Sequence, residues 1–252
     1  MNVLERALVE KAGREHGWEN VVESAEARVV LASARHRGHA TLTPASGSGG
    51  YQVTFPNGRL VREIARILPD LSNGGGGFDA PDIDALAALL RRAAELSLAL
   101  PDQAAQTFRE RAAKELVRLA DNGTEIERLV RQRVGQDVFR KALLDYWDGA
   151  CAVTGLALPE VLRASHAKPW TDCTSDEDRL DVFNGFLLVA HLDALFDRGL
   201  ITFDVGGKMV LAAHLTSDHR ALLHLDERLR LRWVAPEHHP FLEWHREYVF
   251  QN

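Results

Sequence analysis

The stretch from Cys151 to Phe203 constrains the fold of this chain more than any other part of it. Residues 161–165 are short and partly apolar, and they lead into His166, which is followed by Lys168-Pro169. Because a proline cannot donate a hydrogen bond to a sheet, we expect a strand that ends near His166. The polar residues 171–181 that come next predict an exposed loop.

A second strand and a helix are expected after this loop. Residues 186–189 form a short apolar run directly behind Asn184-Gly185, which is a turn signal, and they predict a buried strand. Apolar residues then recur at helical spacing from Leu192 to Phe196, and Gly199 marks the end of that helix. Residues 200–213 predict a hairpin. The local order is therefore strand, loop, strand, helix.

The predicted helix carries two carboxylates on one face. Asp193 and Asp197 stand at positions i and i+4, which are neighbours on a helix surface. Such a pair could hold a hard cation such as Mg²⁺. His166 is a candidate base, since an unperturbed histidine has a pKa of about 6.5. The residues alone leave two ordinary alternatives open, a histidine with a purely structural place and a solvated acidic helix face.

Four short motifs follow one another in this half of the chain. They are Cys151-x-Val-Thr-Gly, Ala164-Ser-His-x-x-Pro-Trp, Asn184-Gly-x-Leu-Leu and Leu195-Phe-Asp-x-Gly-Leu-Ile-x-Phe. In this order they resemble the HNH endonuclease family, and the resemblance covers about residues 124–250. It implies the ββα-metal fold and the hydrolysis of phosphodiester bonds in double-stranded DNA. The implied cofactor is a divalent metal, Mg²⁺ first and Mn²⁺ as the alternative.

The resemblance also implies roles for single residues. His166 matches the general base that activates water, and Asn184 matches the asparagine that orients this histidine and braces the loop. Asp193 matches the metal-ligand position on the helix, with Asp197 as a second ligand. His191 is the alternative metal ligand, and the choice between it and Asp193 stays open.

Some positions depart from the family pattern or have no assigned role in it. Ser165 stands where many relatives carry an acidic or histidine metal ligand, and a hydroxyl is a poorer ligand for Mg²⁺ than a carboxylate. Cys151 and Cys173 are too few for the four-cysteine zinc site of some relatives, so we expect no structural zinc. Lys168 and Arg198 are expected to contact DNA phosphates. The alternative is that both are surface side chains in contact only with solvent, and the sequence does not distinguish the two cases.

The remainder of the chain predicts two further regions and an α+β fold overall. Residues 1–77 predict an N-terminal α/β domain, a candidate DNA-recognition module, with a glycine-rich turn at residues 46–50. Residues 78–147 predict a helical connector with a helix stop at Asn122-Gly123, and residues 148–252 the HNH nuclease domain. The glycine-rich residues 72–77 are expected to form a linker or loop.

Composition limits the partners and the compartment. The net charge of −6 speaks against a nonspecific DNA coat, which binds through a basic surface, but a nuclease with a local basic patch remains compatible with it. No apolar run approaches the roughly 20 residues of a membrane span, so we expect no membrane partner. The charged N-terminus does not resemble a signal peptide, and we therefore expect a cytoplasmic protein.

Three functional hypotheses follow. The first is a metal-dependent DNA endonuclease of restriction or phage-defence type, whose N-terminal domain selects the target and could read modified bases. The second is a DNA-binding protein with a vestigial HNH site, motivated by Ser165 and the missing third histidine. The third is an interaction protein that uses the HNH unit as a scaffold. Since one HNH site cuts one strand, a double-strand cut implies a dimer or two visits, and we favour a homodimer.

Overall fold

The computed structural model describes residues 1–45, 49–118, 124–226 and 228–252. The chain is mixed helix and strand, consistent with the predicted α+β class. It divides into two compact units, Met1–Leu98 and Ala99–Asn252. Part of the turn predicted at residues 46–50 and the whole helix stop predicted at Asn122-Gly123 lie outside the described residues. Among the described residues, no helix is both long and apolar enough to cross a membrane.

The first unit is built on a five-stranded antiparallel sheet. Its strands lie side by side in chain order: β1 (Asn20–Ser24), β2 (Val29–Ala32), β3 (His39–Pro44), β4 (Tyr51–Thr54) and β5 (Gly77–Ala80). The helices are α1 (Val3–Glu15), α2 (Gly58–Ile67) and α3 (Ile83–Ala99). The prediction of an α/β domain is wrong in one respect, because α/β domains have parallel sheets. The short links between β1, β2, β3 and β4 can join only antiparallel neighbours.

The glycine-rich residues 72–77 lie inside the first unit rather than between units. They lead into β5, which pairs with β4 at the end of the sheet. The two compact units instead meet in sequence at Leu98 and Ala99. The division into an N-terminal domain, a helical connector and a nuclease domain stays a prediction.

The second unit contains the elements that position the candidate site. They are α4 (Pro101–Arg118), α5 (Thr124–Tyr146), β6 (Leu162–His166), α6 (Asp176–Leu180), β7 (Gly185–Val189), α7 (Ala190–Asp197), β8 (Ile201–Phe203), β9 (Met209–Leu211), α8 (Ser217–Leu222) and α9 (His239–Tyr248). Strands β6 and β7 pair antiparallel, with Leu162 opposite Val189 and His166 opposite Gly185. Helix α7 begins directly after β7, and both α5 and α7 contact the two strands. This is the predicted order of strand, strand and helix.

The segment between β6 and β7 contains a short helix where the sequence predicted only a loop. Helix α6 begins after Ser175, whose Oγ accepts a hydrogen bond from the backbone N–H of Asp178 at 3.1 Å. Its first turn is acidic, which favours a helix N-terminus, and Leu180 is buried. The prediction of an exposed loop at residues 171–181 is therefore wrong for this part, because a capping serine followed by acids also starts a helix.

Gly185 allows β6, β7 and α5 to approach one another closely. A Cβ atom at this position would lie 2.5 Å from Cζ of Phe139 and 2.6 Å from the carbonyl oxygen of Ser165.

We expect Gly185→Ala to lower the free energy of unfolding of the C-terminal unit by about 1–3 kcal/mol, because backbone and ring must move apart. Urea unfolding measures this change. Gly206→Ala is the control, because a Cβ atom there would lie no closer than 3.4 Å to its nearest neighbour, Oδ1 of Asp204. Equal midpoints for the two variants would contradict the packing described here.

Candidate active site

His166 ends strand β6 with its ring held on two sides. Its Nε2 lies 2.9 Å from the carbonyl oxygen of Arg179. Since a carbonyl oxygen only accepts, Nε2 must carry the proton, and Nδ1 is then left with a lone pair. The ring stacks on Phe139, with ring centroids 3.7 Å apart and planes 11° apart, and Trp170 stands edge-on at 6.1 Å. The histidine is therefore fixed in orientation and tautomer.

The surroundings of His166 keep it neutral. Burial lowers its pKa to about 4, although the hydrogen bond to the Arg179 carbonyl acts in the opposite direction. At neutral pH the ring is therefore in its basic form, with Nδ1 able to accept a proton. An unperturbed histidine would be partly protonated at slightly acid pH.

Asn184 ties the loop after His166 to the start of β7. Its side chain is fully buried. The Oδ1 accepts from the backbone N–H of Lys168 at 2.8 Å, and Nδ2 donates to the carbonyl oxygens of Lys168 at 3.1 Å and Asp178 at 3.0 Å. The Asn184 carbonyl accepts from the N–H of Ala167 at 2.9 Å, next to His166. Asn184 therefore braces the loop through backbone groups, and it reaches His166 through two neighbours, Ala167 on one side and Asp178, which precedes Arg179, on the other.

Asp193 and Asp197 lie one turn apart on α7, beside Ser165 of β6. The Ser165 hydroxyl donates to Oδ1 of Asp197 at 3.1 Å. Burial raises the pKa of Asp193, and the charge of Asp197 raises it further. Although Asp197 is an exposed residue, partial burial of its carboxyl raises the pKa of Asp197 as well. The two carboxylates thus form a coupled pair whose negative charge is only partly compensated.

A divalent cation fits this donor set when water supplies the other ligands. Among the described residues, no group of three or more His, Cys, Asp and Glu side chains is arranged to hold a metal ion. Mg²⁺ is often bound through one or two carboxylates and keeps several waters, so the pair of Asp193 and Asp197 meets its usual requirement. A structural zinc would need four protein ligands.

His191 lies apart from this pair. It is an exposed residue in the first turn of α7, two positions before Asp193. Two residues are separated by about 200° around a helix, so His191 and Asp193 point to different sides of α7. Of the two candidate ligands, only Asp193 shares a face with Asp197.

A pocket of about 320 Å³ is lined by both His166 and Asp197, one member of the acidic pair. Its lining includes His166 and Trp170 from the end of β6 and the loop behind it, and Asp197 from α7. Helix α9 and the residue behind it supply His245 and Val249. The volume is at the lower end of the range of about 300–1,000 Å³ that is usual for ligand pockets.

The two cations predicted to contact DNA stand close to this pocket. Lys168 follows His166 by two residues, and the charge of Arg198 lowers the pKa of Asp197. Neither side chain forms an ion pair with a residue that the structure describes. Arg163, which the sequence did not single out, lies near Asp193, since its charge lowers the pKa of that carboxyl.

Two residues that contact His166 could not be identified as its partners from the sequence. Phe139 belongs to the amphipathic pattern of α5, which indicates a buried position but not the ring it stacks on. Arg179 lies in the predicted polar loop, where its guanidinium donates to the carbonyl oxygens of Trp170 at 3.1 Å and Cys173 at 2.6 Å. No local sequence signal indicates that its own carbonyl accepts from His166.

The buried histidines make the folded protein sensitive to acid. Burial lowers the pKa of His36, His166 and His245 to about 4, against the ordinary value of 6.5. Between these two pH values the unfolded chain therefore binds more protons than the folded chain. The stability that depends on the neutral histidines is fully present above about pH 6.5 and decreases as the pH falls towards 4. The raised pKa values of Asp193 and Asp197 act in the opposite direction, and only in the acid range.

We expect the free energy of unfolding to decrease by up to about 2 kcal/mol for each of these three histidines as the pH falls from 6.5 to 5. Urea unfolding at pH 7.5, 6 and 5, followed by circular dichroism, measures it. The variant His245→Gln, which removes one of these groups, should show a shallower dependence on pH. A free energy of unfolding that is the same at all three pH values would contradict this prediction.

One comparison with known proteins identifies the middle of the C-terminal unit. Residues 151–204 match the family model described as HNH endonuclease. The predicted resemblance is confirmed for this segment, which contains β6, β7 and α7 and every site residue named from the sequence. No curated protein matches the chain. The first unit and helices α8 and α9 lie outside the matched residues.

Proposed function

We propose that the C-terminal unit is a metal-dependent endonuclease that hydrolyses phosphodiester bonds in double-stranded DNA. One observation carries the proposal: a neutral histidine with a free Nδ1 lines the same pocket as a carboxylate of a coupled aspartate pair. The match of residues 151–204 to an HNH endonuclease model supports it independently.

His166 acts as the general base in this proposal. Nδ1 takes a proton from a water molecule in the pocket, and the stacking on Phe139 and the bond from Nε2 to the Arg179 carbonyl keep the ring in place. The same bond supports the charged ring that forms, because Nε2 remains a donor to a carbonyl oxygen. Asn184 keeps the loop in position through its bonds to Lys168 and Asp178.

Asp193 and Asp197 would hold the divalent cation, Mg²⁺ or Mn²⁺, with the Ser165 hydroxyl beside Asp197. When bound, the cation neutralises negative charge that develops on the phosphate and on the leaving oxygen. Burial raises the pKa of both carboxyls, and the positive charge of a bound cation would lower both again. Asp193 is proposed as the helix ligand in preference to His191.

Lys168 and Arg198 are proposed to contact phosphates on either side of the cleaved bond. Such contacts position the nucleic acid without reading its sequence. The negative net charge of the whole chain is compatible with this, because the contacts need only a local set of cations near the pocket.

The biological role proposed is restriction or phage defence in the cytoplasm. The first unit would then select the target DNA, which could carry modified bases, and a homodimer would allow both strands to be cut. This step rests on analogy with other proteins that carry an HNH domain beside a second domain.

A second candidate function is a DNA-binding protein whose nuclease site no longer works. Ser165 favours it, because a hydroxyl stands where an acidic or histidine ligand would strengthen metal binding. The lack of a three-ligand group among the described residues points the same way. A vestigial site should bind DNA but neither Mg²⁺ nor Mn²⁺.

The test is cleavage of supercoiled plasmid by the full chain with Mg²⁺, Mn²⁺ or EDTA, on unmodified and on cytosine-modified DNA. We expect nicked or linear product with either metal and none with EDTA. A preference for one plasmid would assign target selection to the protein. Folded protein that binds the plasmid but leaves it intact with both metals would favour the vestigial site.

A further inference from the structure

Helix α9 reaches the end of α7 from outside the segment that matches the family model. His245 of α9 is 1% exposed, and its Nε2 lies 3.0 Å from the carbonyl oxygen of Phe196. Its Nδ1 lies 3.0 Å from Oγ1 of Thr202. Because the carbonyl only accepts, Nε2 carries the proton and the Thr202 hydroxyl donates to Nδ1. The ring also stacks on Phe196, with centroids 3.8 Å apart and planes 3° apart.

Gln251, which follows α9, binds the carbonyl groups of Arg198 and Gly199 just after α7. Gln251 donates from Nε2 to the carbonyl oxygen of Arg198 at 2.7 Å and from its backbone N–H to that of Gly199 at 2.9 Å. Gly199 has a φ of 68°, and a Cβ there would collide with the carbonyl of Val249. A glycine is therefore required for this close approach.

These contacts add to a backbone cap at the end of α7, where the N–H of Gly199 donates to the carbonyl oxygen of Phe196 at 2.9 Å and the N–H of Leu200 donates to that of Leu195 at 2.8 Å. The last carbonyl groups of a helix find no donor four residues further along it, so they depend on such caps and on donors from elsewhere in the chain. Asp197 is the last residue of α7, between the bonded carbonyls of Phe196 and Arg198. His245 and Val249 also line the pocket that contains His166 and Asp197.

We infer that α9 is part of the active site and that His245 is a positioning residue, which holds the last turn of α7 so that the carboxylate of Asp197 faces the pocket. The inference rests on the proposed function, since it concerns the same acidic pair. It adds to that function a requirement for α9, which begins at His239, well after the family match ends at residue 204. A chain that ended near residue 204 would lack this wall of the pocket and the partners of the last turn of α7.

Two substitutions of His245 separate positioning from packing. His245→Phe keeps a flat ring against Phe196 but removes both hydrogen bonds, whereas His245→Gln can donate to the Phe196 carbonyl and accept from Thr202. The measurement is the dissociation constant of Mn²⁺ for the full chain without DNA, from the electron paramagnetic resonance signal of free Mn²⁺. We expect His245→Phe to weaken Mn²⁺ binding about 10-fold and His245→Gln to restore most of it, as is usual for groups that orient a ligand.

Leu242→Ala is the control for a loss of packing by α9. Leu242 is fully buried on the same helix but is not among the residues that line the pocket. The Leu242→Ala variant should be less stable than the wild type, but when folded it should bind Mn²⁺ with the same affinity. If His245→Phe does not fold, Gln251→Ala replaces it, because Gln251 is exposed and the change removes only the side-chain partner of the Arg198 carbonyl. We then expect a smaller, about 3-fold weakening.

The outcomes distinguish this inference from the proposed function. Wild-type protein that neither binds Mn²⁺ nor cuts DNA would overturn the proposed function and the inference with it. Wild-type protein that does both, together with unchanged Mn²⁺ affinity in His245→Phe or in its substitute Gln251→Ala, would overturn only the inference. Equal losses of affinity in His245→Phe and Leu242→Ala would also overturn it, since loosening of α9 would then be the cause.

Discussion

Replacing His166 by alanine is expected to reduce DNA cleavage by about 10²–10⁴-fold while leaving DNA binding nearly unchanged. The reason is that the substitution removes Nδ1, the lone pair we assign to proton transfer, but none of the groups assigned to phosphate or metal. Cleavage rates of a supercoiled plasmid in Mg²⁺, together with binding measured in a metal that does not support cleavage, give the two quantities. His214→Ala, at an exposed position outside the pocket, is the matched control.

The variant must be folded for this comparison to be valid. His166 stacks on Phe139, and its loss leaves the Arg179 carbonyl without its donor, so some stability will be lost. Circular dichroism and the unfolding midpoint show whether the fold persists at the assay temperature. Cleavage by folded His166→Ala at a rate close to that of the wild type would remove His166 from the mechanism.

Replacing Asp193 or Asp197 by asparagine should lower activity and raise stability at the same time. Asparagine has nearly the same shape but no charge, so each change should reduce cleavage at least about 100-fold and weaken Mn²⁺ binding at least about 10-fold, since the ion loses a carboxylate ligand. Burial raises the pKa of both carboxyls, which means that their charged forms are disfavoured in the fold. Without metal, the variants should therefore be as stable as the wild type or more so.

This opposite response separates a metal site from a structural ion pair. A carboxylate that stabilises the fold by pairing would cost stability when it is neutralised. Glu243→Gln, an exposed change on α9, is the control and should alter neither quantity. Reduced stability together with unchanged Mn²⁺ affinity in Asp193→Asn would show that this aspartate has a structural role.

The sequence predicted the local arrangement of the site well because its signals are local. The proline after His166, the apolar run of β7 and the spacing of Asp193 and Asp197 each depend on a few neighbouring residues. The structure contains the corresponding strand, strand and helix, with the aspartates one turn apart on α7. Helical spacing alone also separates His191 from this pair.

The surroundings of the site could not be predicted because they depend on distant parts of the chain. Phe139 lies 27 positions before the histidine it stacks on, and His245 lies beyond β8, β9 and α8. Strand β1 has no clear signal in the sequence, because its residues are exposed or half-buried without alternation, as at an edge that pairs on one side only. Hydrophobic periodicity gives no signal in such a case.

The location of the bound metal ion shows which residues form the metal site. Crystals of the full chain grown or soaked with Mn²⁺ would show the ion by its anomalous scattering. We expect one strong peak within ligand distance of Asp193 and Asp197, in the pocket that contains His166. A peak at His191, or at His238, His239 or His245, would contradict the ligand assignment. The absence of any peak at a saturating Mn²⁺ concentration would contradict the metal site itself.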